Sequence, residues 1–163
     1  MKLVSRAATV LAATALTASV GLAAAGSASA ETIGTGEGCT PGYWKNHTES
    51  WQEISPSQTT ASLFSQATKY GLGTQTTLQA LQGGGGKGDA GAASILLRAA
   101  TASALNAAYD PLQFPLIRNP RPGYTGVLII SATNAALASG DRQQMLDLAA
   151  YFDGLNNAGC PLT

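Results

Sequence analysis

Cys39 and Cys160 stand near opposite ends of a 163-residue chain and are its only cysteines. If they pair, one bridge gathers nearly everything between them into a single closed loop, so the compartment in which the chain matures decides its architecture. The first 30 residues point to export. Lys2 and Arg6 form a positive start, Ala7 to Leu22 is an apolar Leu/Ala/Val/Thr run, and Ala28-Ser29-Ala30 supplies small residues for cleavage before Glu31. The competing reading, an uncleaved membrane anchor, fits less well: Thr, Ser and Gly interrupt the run, which falls short of the ~20 apolar residues of a bilayer span. No second apolar span follows, and Cys160-Pro161-Leu162-Thr163 carries no sorting tail. The expectation is a secreted, extracellular chain with no membrane contact after signal cleavage, and the alanine-rich leader suggests a bacterial source. With no CxxC spacing and no second Cys/His cluster, a Cys39–Cys160 disulfide is expected to be structural rather than redox-active or metal-binding.

Charge excludes one class of partner. Nine Lys and Arg balance nine Asp and Glu, and removal of Lys2 and Arg6 with the leader leaves seven cations against nine anions. Nucleic-acid binding needs clustered cations, and none are present. Only 11% of residues are charged, well below the ~25% usual for soluble domains, so little repulsion opposes self-association.

Start and stop signals for helices recur along the chain. Residues 31–38, with three glycines and a single apolar side chain, read as a flexible leader, and 39–163 as one helical domain. Ser55, Pro56 and Gln58 have the order of a cap, a first-turn proline and a capping-box partner, which predicts a helix running to Gly71 with Leu63, Phe64, Ala67 and Tyr70 as its stripe. Thr77 to Gln82 predicts a shorter helix. The glycine-rich run 83–88 superficially resembles a phosphate loop, but Leu81 and Gly88 occupy positions where that pattern needs Gly and Ser/Thr, so it reads as a mobile connector. From Asp89 to Tyr109 the chain is apolar nearly all round, the mark of a buried central helix, and Asp110-Pro111 ends it. A proline-rich connector follows to Gly123. Thr125 is then placed to cap a helix ending at Gly140, although Val127 to Ile130 alone would suit a strand. Asp141 with Gln144 opens the last helix, striped by Met145, Leu148, Phe152 and Leu155. Together these predict an all-α fold, a small bundle of three to four main helices closed by one disulfide.

The densest run is Cys39-Thr-Pro-Gly-Tyr-Trp-Lys-Asn-His47, with Trp51 just beyond; it holds the sole histidine and, with Trp51, both tryptophans. A helix capped by Thr40 and started by Pro41 would put Trp44, His47 and Trp51 on one face. This string, with Leu96 to Ala100 (LLRAA) and the Asn156 to Leu162 ending, resembles a signature of uncharacterised secreted bacterial proteins with a C-T-x-G-Y-W-K-N-H start and an N-N-x-G-C-P-L end. The resemblance spans nearly the whole chain after the leader and implies a shared helical fold and export. It implies no activity, and the 109–123 connector is longer and richer in proline than that pattern.

Three readings of the motif compete. Tyr43, Trp44 and Trp51 can pack beneath the disulfide and seal the chain ends. They can instead form an aromatic platform which, with Asn46, His47 and Glu49, binds a cell-wall polymer or other carbohydrate; Tyr43, Trp44, Asn46, His47 and Trp51 are therefore the binding candidates. Third, any His-dependent catalysis, such as that of a secreted cell-wall or polysaccharide hydrolase, must use His47. Glu49 and Glu53 do not suit a glycosidase pair, since two carboxylates on one helix face leave no room for a sugar between them. No metal site is expected, and nothing in the sequence calls for a cofactor. Arg98, the only charge between Asp89 and Asp110, needs a partner if its helix is central; Asp141, Asp147 and Asp153 are the candidates for an ion pair. The reading as a whole is an exported, non-catalytic helical domain that binds or assembles at or outside the cell surface, its partner a wall polymer, a carbohydrate or a second copy of itself.

Overall fold

In the computed structural model the described residues are 37–112, 114–116 and 128–162; the export leader, Arg118, Arg121 and the Thr125 cap lie outside them. Six α-helices are described: α1 (Pro41–Asn46), α2 (Thr60–Leu63), α3 (Thr77–Gln82), α4 (Gly88–Ala108), α5 (Ile129–Ser139) and α6 (Arg142–Asn156). Short 3₁₀ turns at Thr48–Ser50, Ser65–Tyr70 and Asp110–Leu112 join them, and no strand occurs among the described residues, only two isolated bridges. The fold is all-α. Three helices are long, as expected, and the short ones outnumber expectation.

The central helix is α4. Its Ala92, Ala93, Leu96, Leu97, Ala99, Ala100, Ala102, Ala104 and Leu105 are buried, and its most extensive partner is α6. Alanines on α4 let α6 approach closely, and Met145, Ala149 and Phe152 of α6 fill the space between. The Asp141 carboxylate starts α6 by accepting from the Gln143 and Gln144 N–H groups at 2.8 and 3.1 Å. Gly140, in the left-handed region at φ 75°, ends α5.

The helix expected from Ser55 to Gly71 is broken. Ser55 to Gln58 forms a turn, α2 begins only at Thr60, and after Phe64 the chain tightens into a 3₁₀ turn. The cause is a pairing with the segment ahead of α3. Thr60 N–H donates to the Gln75 carbonyl (2.8 Å) and Thr77 N–H donates to the Gln58 carbonyl (2.9 Å), so backbone groups needed for a continuous helix are already committed. The same tripeptide, Gln-Thr-Thr, stands on both sides of this pairing, at 58–60 and 75–77. It places the N-termini of α2 and α3 side by side, and the buried Thr60 and Thr77 hydroxyls donate to the carbonyls of Gln75 and Ser55.

The glycine run 83–88 has a defined shape. Gly85, Gly86 and Gly88 take φ of 125°, 141° and 66°, which side chains resist, and the Gly86 backbone lies against Gly91 in the first turn of α4. A β-carbon at Gly91 would run into the Gly86 carbonyl.

Candidate functional site

The Cys-to-His motif starts as expected and then departs. Thr40 Oγ1 accepts from Tyr43 N–H at 3.1 Å and Pro41 occupies the first turn of α1. The helix does not continue to Trp51. The Trp44 carbonyl accepts from His47 N–H (3.3 Å) and from the Trp51 indole N–H (2.9 Å), which closes α1 at Asn46 and swings the chain into the Thr48–Ser50 turn. Trp44, His47 and Trp51 therefore do not share a helix face.

Their surroundings differ accordingly. Trp44 is fully buried, edge-on to Tyr43 with ring centroids 5.2 Å apart and tilted against Tyr109 at 6.1 Å. It cannot belong to an exposed aromatic platform. Trp51 is half-buried with its N–H spent on α1. Tyr43 stacks on His47 at 4.3 Å and donates its hydroxyl to the Leu162 carbonyl at 3.3 Å. Asn46 is exposed, and its amide donates to the Gly42 carbonyl (3.0 Å). At the surface remain the Tyr43–His47 stack, Asn46 and Glu49.

His47 is 46% exposed and Glu49 71%, with Nδ1 and Oε1 3.1 Å apart. Hydrogen bonding from the backbone and from His47 holds the Glu49 carboxyl below its usual range. Among the described residues no group of three or more His, Cys, Asp or Glu is placed to hold a metal ion, and no helix is long and apolar enough to cross a membrane.

Beneath this surface lies a polar network that the sequence reading missed. Asn106, fully buried on α4, accepts from Cys39 N–H (2.9 Å) and the Trp44 indole N–H (2.9 Å) through Oδ1, and donates through Nδ2 to the Cys39 carbonyl (3.0 Å) and Asn156 Oδ1 (2.9 Å). Asn156, equally buried at the end of α6, also accepts from Ser103 Oγ (3.0 Å) and donates to the Ala99 carbonyl (3.0 Å). Every buried side-chain polar atom described has a partner, the condition under which such a network specifies a single packing. The available signal was Asn106 itself, an amide in a helix otherwise made almost entirely of small and apolar residues.

The disulfide joins Cys39 to Cys160 across 121 residues of sequence. Gly38, assigned to the flexible leader, is already part of the fold: its N–H donates to the Gly159 carbonyl at 2.9 Å, and a β-carbon there would strike the Leu155 carbonyl. Bond, bridge and network together form a clasp that holds the start of the domain against its end.

Of the three acidic candidates for Arg98, Asp153 on α6 feels its charge. Burial pushes the Asp153 carboxyl upward and the Arg98 charge pulls it part of the way back. The attraction acts through space, since no contact ion pair joins the two. No protein-family model, curated protein or solved structure matches the chain.

Proposed function

We propose that this chain is an exported helical module that acts at or outside the cell surface by binding or assembly rather than by catalysis. The observation that carries this reading is the Cys39–Cys160 disulfide, a bond that persists in oxidising compartments and agrees with the leader-like order of residues 2–30. The aromatic motif supports it from another direction: the Trp44 indole is spent on the clasp and the Trp51 N–H on α1, and the surface they leave is a small polar and aromatic face built from Tyr43, Asn46, His47 and Glu49. Such a face suits contact with a wall polymer, a carbohydrate or a second copy of the chain. Titrating peptidoglycan fragments and neutral polysaccharides while following Tyr43 and His47 by NMR, alongside sedimentation of the protein alone, tests this. Shifts confined to this face, or a concentration-dependent dimer, support the reading; neither, together with turnover of any wall polymer, overturns it.

A hydrolase reading rests on one geometric feature, the orientation of His47 by Glu49, which is how a carboxylate aligns a general base. His47→Ala decides it. Loss of polymer turnover with an unchanged melting curve supports catalysis, and unchanged turnover removes it.

A further inference from the structure

The disulfide is bracketed by contacts that use neither sulfur atom. On one side the Asn106 amide grips both backbone groups of Cys39, and on the other Gly159 accepts from Gly38 and Leu162 accepts from the Tyr43 hydroxyl. Asn106 and Asn156 join the two sides through α4 and α6. With the bond formed, the cysteine Cα atoms stand 4.5 Å apart, and every one of these contacts holds the same two chain ends without involving a sulfur atom. The two cysteines also differ in access: Cys39 is fully buried, Cys160 half-buried.

We infer that the bond is a lock added to a clasp already assembled by hydrogen bonds, and that thiol–disulfide exchange makes and, under reducing conditions, breaks it through Cys160. The oxidant class is a small disulfide such as oxidised glutathione. The Cys160 thiolate attacks one of its sulfurs, forming a mixed disulfide and expelling one glutathione thiolate. The Cys39 thiolate then attacks the Cys160 sulfur and expels the second. Two protein thiols lose two electrons and two protons, and two reduced glutathiones are formed. Reduction runs the same path backwards, the incoming thiolate reaching Cys160 and leaving Cys39 as the buried thiol. Because the clasp holds the thiols together, each stabilises the other by reciprocity: whatever the hydrogen bonds contribute to docking reappears as effective concentration of one thiol at the other.

The test equilibrates purified protein in glutathione redox buffers, followed by acid quenching and mass spectrometry. Reduced wild type is expected to keep a cooperative thermal transition. Its thiol effective concentration should exceed that in denaturant by about a hundredfold or more, as for groups held in place rather than meeting by diffusion. Asn106→Ala should lower that concentration by about tenfold or more, and Tyr43→Phe, which loses one long hydrogen bond, by about twofold to fivefold. The single-glutathione intermediate should map to Cys160. Reduced wild type without a cooperative transition, adducts on Cys39, or an unchanged effective concentration in Tyr43→Phe would each overturn the inference. Tyr43→Phe also decides the matter should reduced Asn106→Ala not fold.

Discussion

Replacing Asn106 by alanine strips the clasp of its central amide while leaving the disulfide in place. Four hydrogen bonds disappear. Asn156 Oδ1 keeps its bond from Ser103, but Cys39 N–H, the Cys39 carbonyl and the Trp44 indole N–H lose the partner that Asn106 gave them. Cys39 and Trp44 are fully buried, and a stranded polar group in such surroundings costs ~1–3 kcal/mol. Three such groups amount to at least about 3 kcal/mol even when water entering the vacated space offsets part of the cost. For a domain of this size that lowers Tm by on the order of 10 °C. Guanidinium unfolding of the oxidised protein, read by far-UV circular dichroism so that the altered Trp44 environment does not enter, measures the loss. Asn106→Asp sharpens the test. It retains the two accepting contacts, loses both donations and buries a charge, so it should be at least as destabilised at neutral pH. Burial raises its folded-state pKa above the unfolded value, so the cost is full above the folded pKa and is relieved as pH falls through it. A loss below about 1 kcal/mol for Asn106→Ala would refute the claim that this network holds the chain ends together.

Trp51→Phe leaves Trp44 as the only tryptophan, and its emission should be blue-shifted and weakly quenched by acrylamide; red-shifted, readily quenched emission would contradict its burial beside Asn106. Gly91→Ala pushes a methyl into the Gly86 carbonyl and should cost about 1–3 kcal/mol in chemical denaturation, whereas the same change at Gly154, where a β-carbon meets nothing within 4 Å, should be neutral or stabilising. The Asp153 carboxyl should titrate above its ordinary value of 3.8 because burial disfavours its charge, and Arg98→Met should raise it further. Since the folded pKa is the higher one, the cost of ionising Asp153 is full above that pKa and is relieved as pH falls towards the unfolded value; carboxyl NMR titrations showing no upward shift would contradict the partial burial of Asp153.

Signals that act within a few residues were legible in the sequence. The Asp141 cap, Thr40 with Pro41, the Gly140 stop and the apolar run of α4 each act through their own backbone turn or helix face, so periodicity and capping chemistry were enough to place them. The stripe on α6 likewise put Met145 and Phe152 in the core. Pairing of Cys39 with Cys160 followed from there being only two cysteines in the chain.

What the tertiary structure alone decided is where local preference meets a distant competitor. Ser55-Pro56-Gln58 has the chemistry of a helix start, yet the Gln58 carbonyl and Thr60 N–H are claimed by Thr77 and Gln75, and the helix is deferred. The motif likewise has the spacing of one helix face, yet the Trp51 indole takes the Trp44 carbonyl and turns the chain away. From its neighbours Trp44 suits either a seal beneath the disulfide or an exposed platform, and its burial with the indole N–H on Asn106, 62 positions onward, decides for the seal. A backbone group can satisfy its hydrogen bond locally or at a distance, and only the folded chain reveals which partner has arrived.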